Sequence, residues 1–204
     1  ACRMSALINS YIKYLLFLSI LIFFALKNLG LDYTDSVSWA VSISIFIFIL
    51  YESYFWRLNP FCKTPRIYGK YDVKIMHQYN GGGEIIAQAE ITQSLFSITV
   101  ILKTDEMTSY SSSANITEED NSYVLYYTYT KRPKGRYEYK NPITYGTCRL
   151  VLEKSVQVFA NSYNSQNIYS ELKKWIFKPV SEPLEGIYWT SRKTNGDIIF
   201  TKRL

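Results

Sequence analysis

Histidine occurs once in the 204 residues, as His77, and cysteine three times, as Cys2, Cys62 and Cys148. A single histidine excludes catalytic schemes that need two and argues against a histidine-rich metal site. Three cysteines are odd in number, and their spacing suits neither a zinc site nor a C-x-x-C redox pair. No disulfide framework is therefore expected, and a reducing compartment is. Glycine (9) and proline (6) are scarce beside 19 tyrosines. With 48% hydrophobic and 17% aromatic residues, the chain has none of the aromatic poverty that keeps segments disordered. Acidic residues are fewer than basic ones, 17 against 23. They cluster at Asp105-Glu106 and Glu118-Glu119-Asp120, in polar stretches that read as solvated loops. The run Gly81-Gly82-Gly83 lacks the lysine and following helix of a phosphate loop. No catalytic constellation, metal site or cofactor is expected, and the chain does not read as an enzyme.

What is present divides the chain in two. Mean hydropathy is −0.09, an average of two unlike parts. Residues 1–56 hold three basic and three acidic residues, so the whole net charge of +6 belongs to 57–204. Ile8–Leu26 and Val37–Phe55 are apolar runs of 19 residues each. At 1.5 Å per residue each spans roughly 28 Å, close to the hydrocarbon thickness of a bilayer. They read as a membrane hairpin, with Lys13 and Glu52 snorkelling near the ends and Tyr11, Tyr14, Tyr51, Tyr54 and Trp56 as an interfacial belt. A signal peptide fits less well, since no A-x-A-like cleavage site is present and a second span follows. Arg3, Lys13, Arg57, Lys63, Arg66 and Lys70 flank the hairpin, whereas its loop carries Lys27 against Asp32 and Asp35. The positive-inside rule places both termini in the cytoplasm, and the sequon Asn115-Ile116-Thr117 is then fortuitous. Ser38, Ala40, Ser42 and Ser44 give the second span small residues four apart. Such a stripe suits packing within the hairpin or contact between protomers.

Beyond a basic juxtamembrane linker, period-two patterns dominate. They appear in 69–75, 84–91, 95–102, 123–130, 147–154, 155–160, 186–192 and 197–203, and more weakly in 107–114. Turn signals separate them, Asn195-Gly196 being the strongest. About eight short strands point to a small antiparallel up-and-down barrel, lipocalin- or streptavidin-like, with room for side chains or one small ligand. Residues 168–177 carry apolar residues at helical spacing and suggest one short helix before Pro179. The expected organisation is a two-helix membrane domain at 1–57, a linker at 58–66 and a barrel at 67–204.

Tyrosines crowd 123–145 and are interleaved with Arg132, Arg136, Arg149 and Arg192. Flat amphipathic rings beside guanidinium groups suit nucleobases and phosphates. The cations of 131–136 read instead as a loop facing anionic headgroups, and Arg149, opposite in parity to Cys148, Leu150 and Leu152, as pointing outward. Arg192 shares parity with Tyr188 and Thr190. If that face points inward its charge is buried unless a partner neutralises it.

Two amino-terminal spans, a basic linker and a tyrosine-rich β region closing on G-I-Y-W-T-S-R-K-T-N-G-D-I-I-F-T-K-R, with G-x-Y opening both 69–71 and 186–188, resemble the two-transmembrane, β-strand-rich effectors of bacterial CBASS anti-phage systems. The resemblance implies an eight-stranded barrel that binds a cyclic dinucleotide made by a partner synthase. It further implies that binding drives homo-oligomerisation and disruption of the inner membrane, killing the infected cell. The partners expected are thus a cyclic dinucleotide, membrane lipid and further copies of the chain, with no DNA or RNA. No binding motif of the family carries over, so parity and chemistry supply the candidate contacts: Tyr71, Tyr126, Tyr129, Tyr188, Thr190 and Arg192. Ser38, Ala40, Ser42 and Ser44 are the candidate contacts between spans. Two rival expectations remain: a tethered lipocalin-like carrier of an apolar ligand, its interior lined by Phe96, Ile98, Val100 and Leu102, and a non-catalytic scaffold subunit of a membrane complex.

Overall fold

The computed structural model describes residues 2–59, 62, 64–78, 81–120, 122–138, 142–152 and 183–203. The expected strand at 155–160 and helix at 168–177 lie outside the described residues. The chain divides into two compact units, 1–56 and 57–204.

The first unit is a helical hairpin of α1 (Cys2–Asn28) and α2 (Tyr33–Ser53). Both helices are long and apolar enough to cross a membrane. α1 ends in a Schellman motif. Gly30 takes a φ of +88°, and the Leu31 and Gly30 N–H groups donate to the Leu26 and Lys27 carbonyls at 3.4 and 3.0 Å. Rings lock the two helices at both ends of the hairpin. Tyr11 meets Phe48 and Tyr51 with centroids 6.4 and 6.1 Å apart, and Phe23 meets Tyr33 at 5.4 Å. The small residues of α2 form two stripes rather than one. Ser36, Ala40 and Ser44 are buried against α1, whereas Ser38 and Ser42 face outward. The Ser36, Ser38, Ser42 and Ser44 hydroxyls each donate to the carbonyl four residues earlier, at 2.7–3.0 Å. A hydroxyl satisfied within its own helix needs no partner across the contact, so these serines act through their small size.

The second unit is a closed antiparallel barrel. Its strands are β1 (Gly69–His77), β2 (Gly83–Gln93), β3 (Ile98–Lys103), β4 (Met107–Glu119), β5 (Ser122–Pro133), β6 (Thr144–Leu152), β7 (Leu184–Thr190) and β8 (Asn195–Lys202). Each pairs with its neighbour in the chain, and β8 closes on β1 from Tyr71↔Lys202 to His77↔Gly196. Closure leaves no strand edge exposed. The stretch read as weakest, 107–114, becomes the start of the longest strand, 13 residues of β4. Its serines and threonines obscure the alternation, and a bulge at Ser111–Ser113 shifts the register midway.

Alternation sets the interior. Odd positions of β1, β2 and β5 and even positions of β3, β6, β7 and β8 face inward, where Val73, Ile91, Val100, Leu125, Leu150 and Phe200 are all within 1% of full burial. These side chains fill the lumen as a core, the usual state of a barrel of this strand number. Val100 and Leu102, expected to line the cavity of an apolar ligand, are packed in this core.

Candidate functional site

The two ends of the barrel differ. Where β1 begins and β2 and β8 end, Ile67 and Tyr71 are buried in the core. At the opposite mouth several inward positions of β4–β7 are polar: Ser109, Lys131, Thr144 and Thr190, with the phenols of Tyr129 and Tyr188, beside apolar Met107 and Ile75. Strand register brings them together. Lys131 pairs with Ser109 on one side and Thr144 on the other, Tyr129 pairs with Gly146, and Gly146 with Thr190.

Two glycines shape this mouth by letting rings lie against backbone. A Cβ at Gly146 would run into the Tyr129 phenol and the Trp189 carbonyl. One at Gly196 would meet Tyr188 Cε1 at 2.9 Å and the Met76 carbonyl. Gly196→Val is therefore expected to destabilise the barrel by about 1–3 kcal/mol through overpacking, read as a lowered midpoint in thermal melts. Tyr188 fluorescence should shift with it.

Charges of both signs meet at the mouth: Lys131 and Arg192 stand near Glu106 and Asp197. Lys131 is half-buried, and its pKa lies below the usual lysine value, first because burial disfavours the charge, then because Arg192 is nearby; Glu106 offsets part of this. Desolvation raises the phenols of Tyr129 and Tyr188, keeping them neutral donors. Beneath them Cys148 is buried, its thiol pushed up to about 12 by desolvation. Such a thiol is inert packing, not a nucleophile. Arg192 itself is exposed, in the turn between β7 and β8. The inward face of Tyr188 and Thr190 does not extend to Arg192, because β7 ends at Thr190. The turn is ordered by Thr190. Its hydroxyl bonds Thr194 Oγ1 at 2.6 Å and accepts the Arg192 and Thr194 N–H groups at 3.3 and 3.4 Å. Thr190→Val should loosen this turn at a cost of about 1 kcal/mol, measured by thermal melting.

Beside the mouth a shallow groove of about 480 Å³ crosses the barrel wall, lined by Ser112, Thr128, Tyr129, Tyr145, Gly146, Thr147, Trp189, Thr190 and Ser191. Its volume falls within the roughly 300–1,000 Å³ of small-molecule clefts. Tyr145 and Trp189 are 60% and 42% exposed, large rings presented to solvent beside the hydroxyls of Ser112, Thr128, Tyr129, Thr147, Thr190 and Ser191. The β4 bulge brings Ser112 to this wall.

Of the residues singled out from sequence, Tyr129 and Thr190 line the groove, Tyr188 lies at the same mouth and Arg192 in the adjoining turn. Tyr71 lies at the opposite end, its hydroxyl donated to the Ile67 carbonyl at 2.6 Å. Tyr126 faces outward on the barrel wall, where Arg149 Nε donates to its hydroxyl at 2.9 Å and it donates to Glu119 at 3.0 Å. Arg149 and Glu119 complete that triad at 3.3 Å. Arg149 thus points outward, as its parity implies. Lys131, read as a loop cation facing lipid, is instead an inward position of β5. Continuing the parity of Leu125, Tyr127 and Tyr129 by one step would have found it. Tyr145 belongs to the tyrosine-rich stretch without being singled out, and Ser112 and Trp189 carry no comparable signal, since they reach the groove through the bulge and the β6–β7 register. No cluster of three or more potential metal ligands occurs among the described residues.

Two comparisons bear on this geometry. The profile of the Cap15 cyclic dinucleotide receptor domain matches residues 62–174. CD-NTase-associated protein 15 of Staphylococcus schleiferi is 32% identical over 175 residues, covering 84% of this chain and 81% of that protein.

Proposed function

The chain belongs to the Cap15 family of two-transmembrane CBASS effectors, and from that premise we propose that its barrel receives a cyclic dinucleotide at the mouth and groove formed by β5, β6 and β7. It is a membrane-associated effector of the cyclic dinucleotide pathway, paired with the synthase that makes the ligand. Lys131 and Arg192 face the phosphodiesters, Tyr129, Tyr188, Tyr145 and Trp189 offer faces for the bases, and the Ser and Thr hydroxyls meet ribose and base edges. The observation that carries this reading is the pairing of a partly desolvated lysine with a second cation beside exposed rings. Two like charges so placed favour an anionic guest, and stacking adds roughly 1–3 kcal/mol per base.

Both helices cross the inner membrane with the termini and barrel in the cytoplasm, in keeping with the flanking charge. The division into membrane domain, linker and barrel follows 1–57, 58–66 and 67–204. Ligand binding shifts the chain from dispersed to clustered copies, because a ligand moves an equilibrium only through differential affinity. Confinement to one membrane plane lowers the cost of clustering. The outward stripe of Ser38 and Ser42 is the contact between copies, while Ala40 and Ser44 hold the hairpin. The clustered spans breach the bilayer and kill the infected cell.

The test is calorimetry on the purified full chain with cyclic di-AMP, cyclic di-GMP and the mixed AMP–GMP molecule. One of them should bind with a Kd of about 1 μM or tighter, near −8 kcal/mol, and the affinity should fall as salt rises. No heat with any of the three rejects the reading.

A further inference from the structure

At the barrel end remote from the groove, residues 65–68 are held against the strands, and Gln93 makes two of the bonds that hold them. Gln93 closes β2 on its inward face and is 4% exposed. Its side-chain carbonyl accepts the Ile67 N–H at 2.9 Å, and its amide donates to the Pro65 carbonyl at 2.9 Å. Its backbone carbonyl accepts Arg57 Nη2 at 2.8 Å. Ile67, fully buried, is the apolar stopper between these bonds. Tyr71 takes the Ile67 carbonyl, and Lys202 donates to the Tyr68 carbonyl at 3.0 Å. The Arg57 guanidinium lies 4.3 Å over the Tyr68 ring. Backbone from Pro65 to Tyr68, where the linker meets the barrel, thus bonds side chains of β1, β2 and β8.

Connections between units are ordinarily solvated and free to swing. Residues 65–67 are instead held to the barrel by a primary amide, whose oxygen accepts and whose nitrogen donates along one extended segment. Filling the end would need only Ile67; fixing its register needs Gln93. A physical column joins the plug to the groove. The Tyr71 ring meets Phe200 edge-on at 5.9 Å. β8 runs on through Ile198 to Gly196, which lies under the Tyr188 ring at the ligand mouth.

We infer that Gln93 is a positioning residue for the effector's output: it seats the linker so that repacking of the barrel around ligand is delivered to Arg57 and the chain that leads back to α2. The inference rests on the cyclic dinucleotide reading above. A slack linker would let the barrel bind without altering the spans, whereas a seated one makes occupancy and span arrangement parts of one equilibrium.

The experiment uses the full chain in phosphatidylethanolamine–phosphatidylglycerol vesicles loaded with dye, and whichever of the three cyclic dinucleotides the wild type binds. Gln93→Leu should keep a Kd within about threefold of wild type while slowing dye release at saturating ligand about tenfold or more, the range of ordinary coupling energies. Tyr71→Phe keeps the ring against Phe200 and deletes one bond to Ile67. It should show the same separation with a smaller loss of release. Wild-type release by Gln93→Leu at equal occupancy overturns the inference. So does a fall in affinity that tracks the fall in release in both variants, which would make the plug mere support for the site. Failure of the wild type to bind any of the three overturns the ligand reading itself, and this inference with it.

Discussion

Phe200→Ala is expected to cost the barrel about 3–5 kcal/mol, the usual penalty for emptying a fully buried aromatic site. Phe200 is completely buried and stands on the strand that closes the barrel. It pairs with Val73 of β1 and Leu184 of β7, and its ring packs edge-on against Tyr71. Truncation therefore opens a cavity bounded by three strands, none of which can collapse inward without breaking the ladder that removes the sheet's edges. Phe200→Leu keeps most of the volume and should cost less than half as much. Near-ultraviolet circular dichroism during chemical denaturation of the two variants checks both values. Equal and small losses would mean that the interior is loosely filled, which would revive a lumen able to hold an apolar guest.

Much of this architecture was legible because periodicity is robust. Two predominantly apolar stretches of 19 residues read as helices long enough to cross a bilayer, and the alternation of Tyr71, Val73 and Ile75 needs only a strand with one buried face. Parity, however, says which way a side chain points and not how far along the barrel it lies. Tyr71 and Tyr188 both face inward, yet register places them at opposite ends, and only Tyr188 reaches the mouth. The two serine stripes of α2 show the same limit. Ser36, Ala40, Ser44 and Ser38, Ser42 have identical spacing, and only the rotational phase against α1 decides which is buried. The groove was hidden for a different reason. It depends on a bulge and on an absent Cβ at Gly146, through which the Tyr129 phenol is reached from outside. Neither is a feature of any single strand.

Lys131→Glu should abolish cyclic dinucleotide binding, weakening it about a hundredfold or more, because it replaces a charge-assisted contact by repulsion at a half-buried position. Lys131→Met, which keeps the stem and removes the charge, should lose about tenfold or more, in line with the roughly 1.5–3 kcal/mol of a hydrogen bond to a charged group. The pH dependence separates charge from shape. In the free protein the Lys131 pKa is lowered from 10.5, so burial of the cation opposes folding in full below the lowered value and ceases to do so as pH rises through it toward 10.5. An anionic ligand acts in the opposite sense. It stabilises the protonated amine, so binding takes up a proton in the alkaline range, and wild-type affinity should fall there as pH rises. Lys131→Met removes the titrating group and should flatten that decline, while any loss due to other groups persists equally in both proteins. Calorimetry in two buffers of different ionisation heat reads the proton directly. A proton uptake unchanged by Lys131→Met would show that the phosphodiesters lie elsewhere, with the groove serving bases alone.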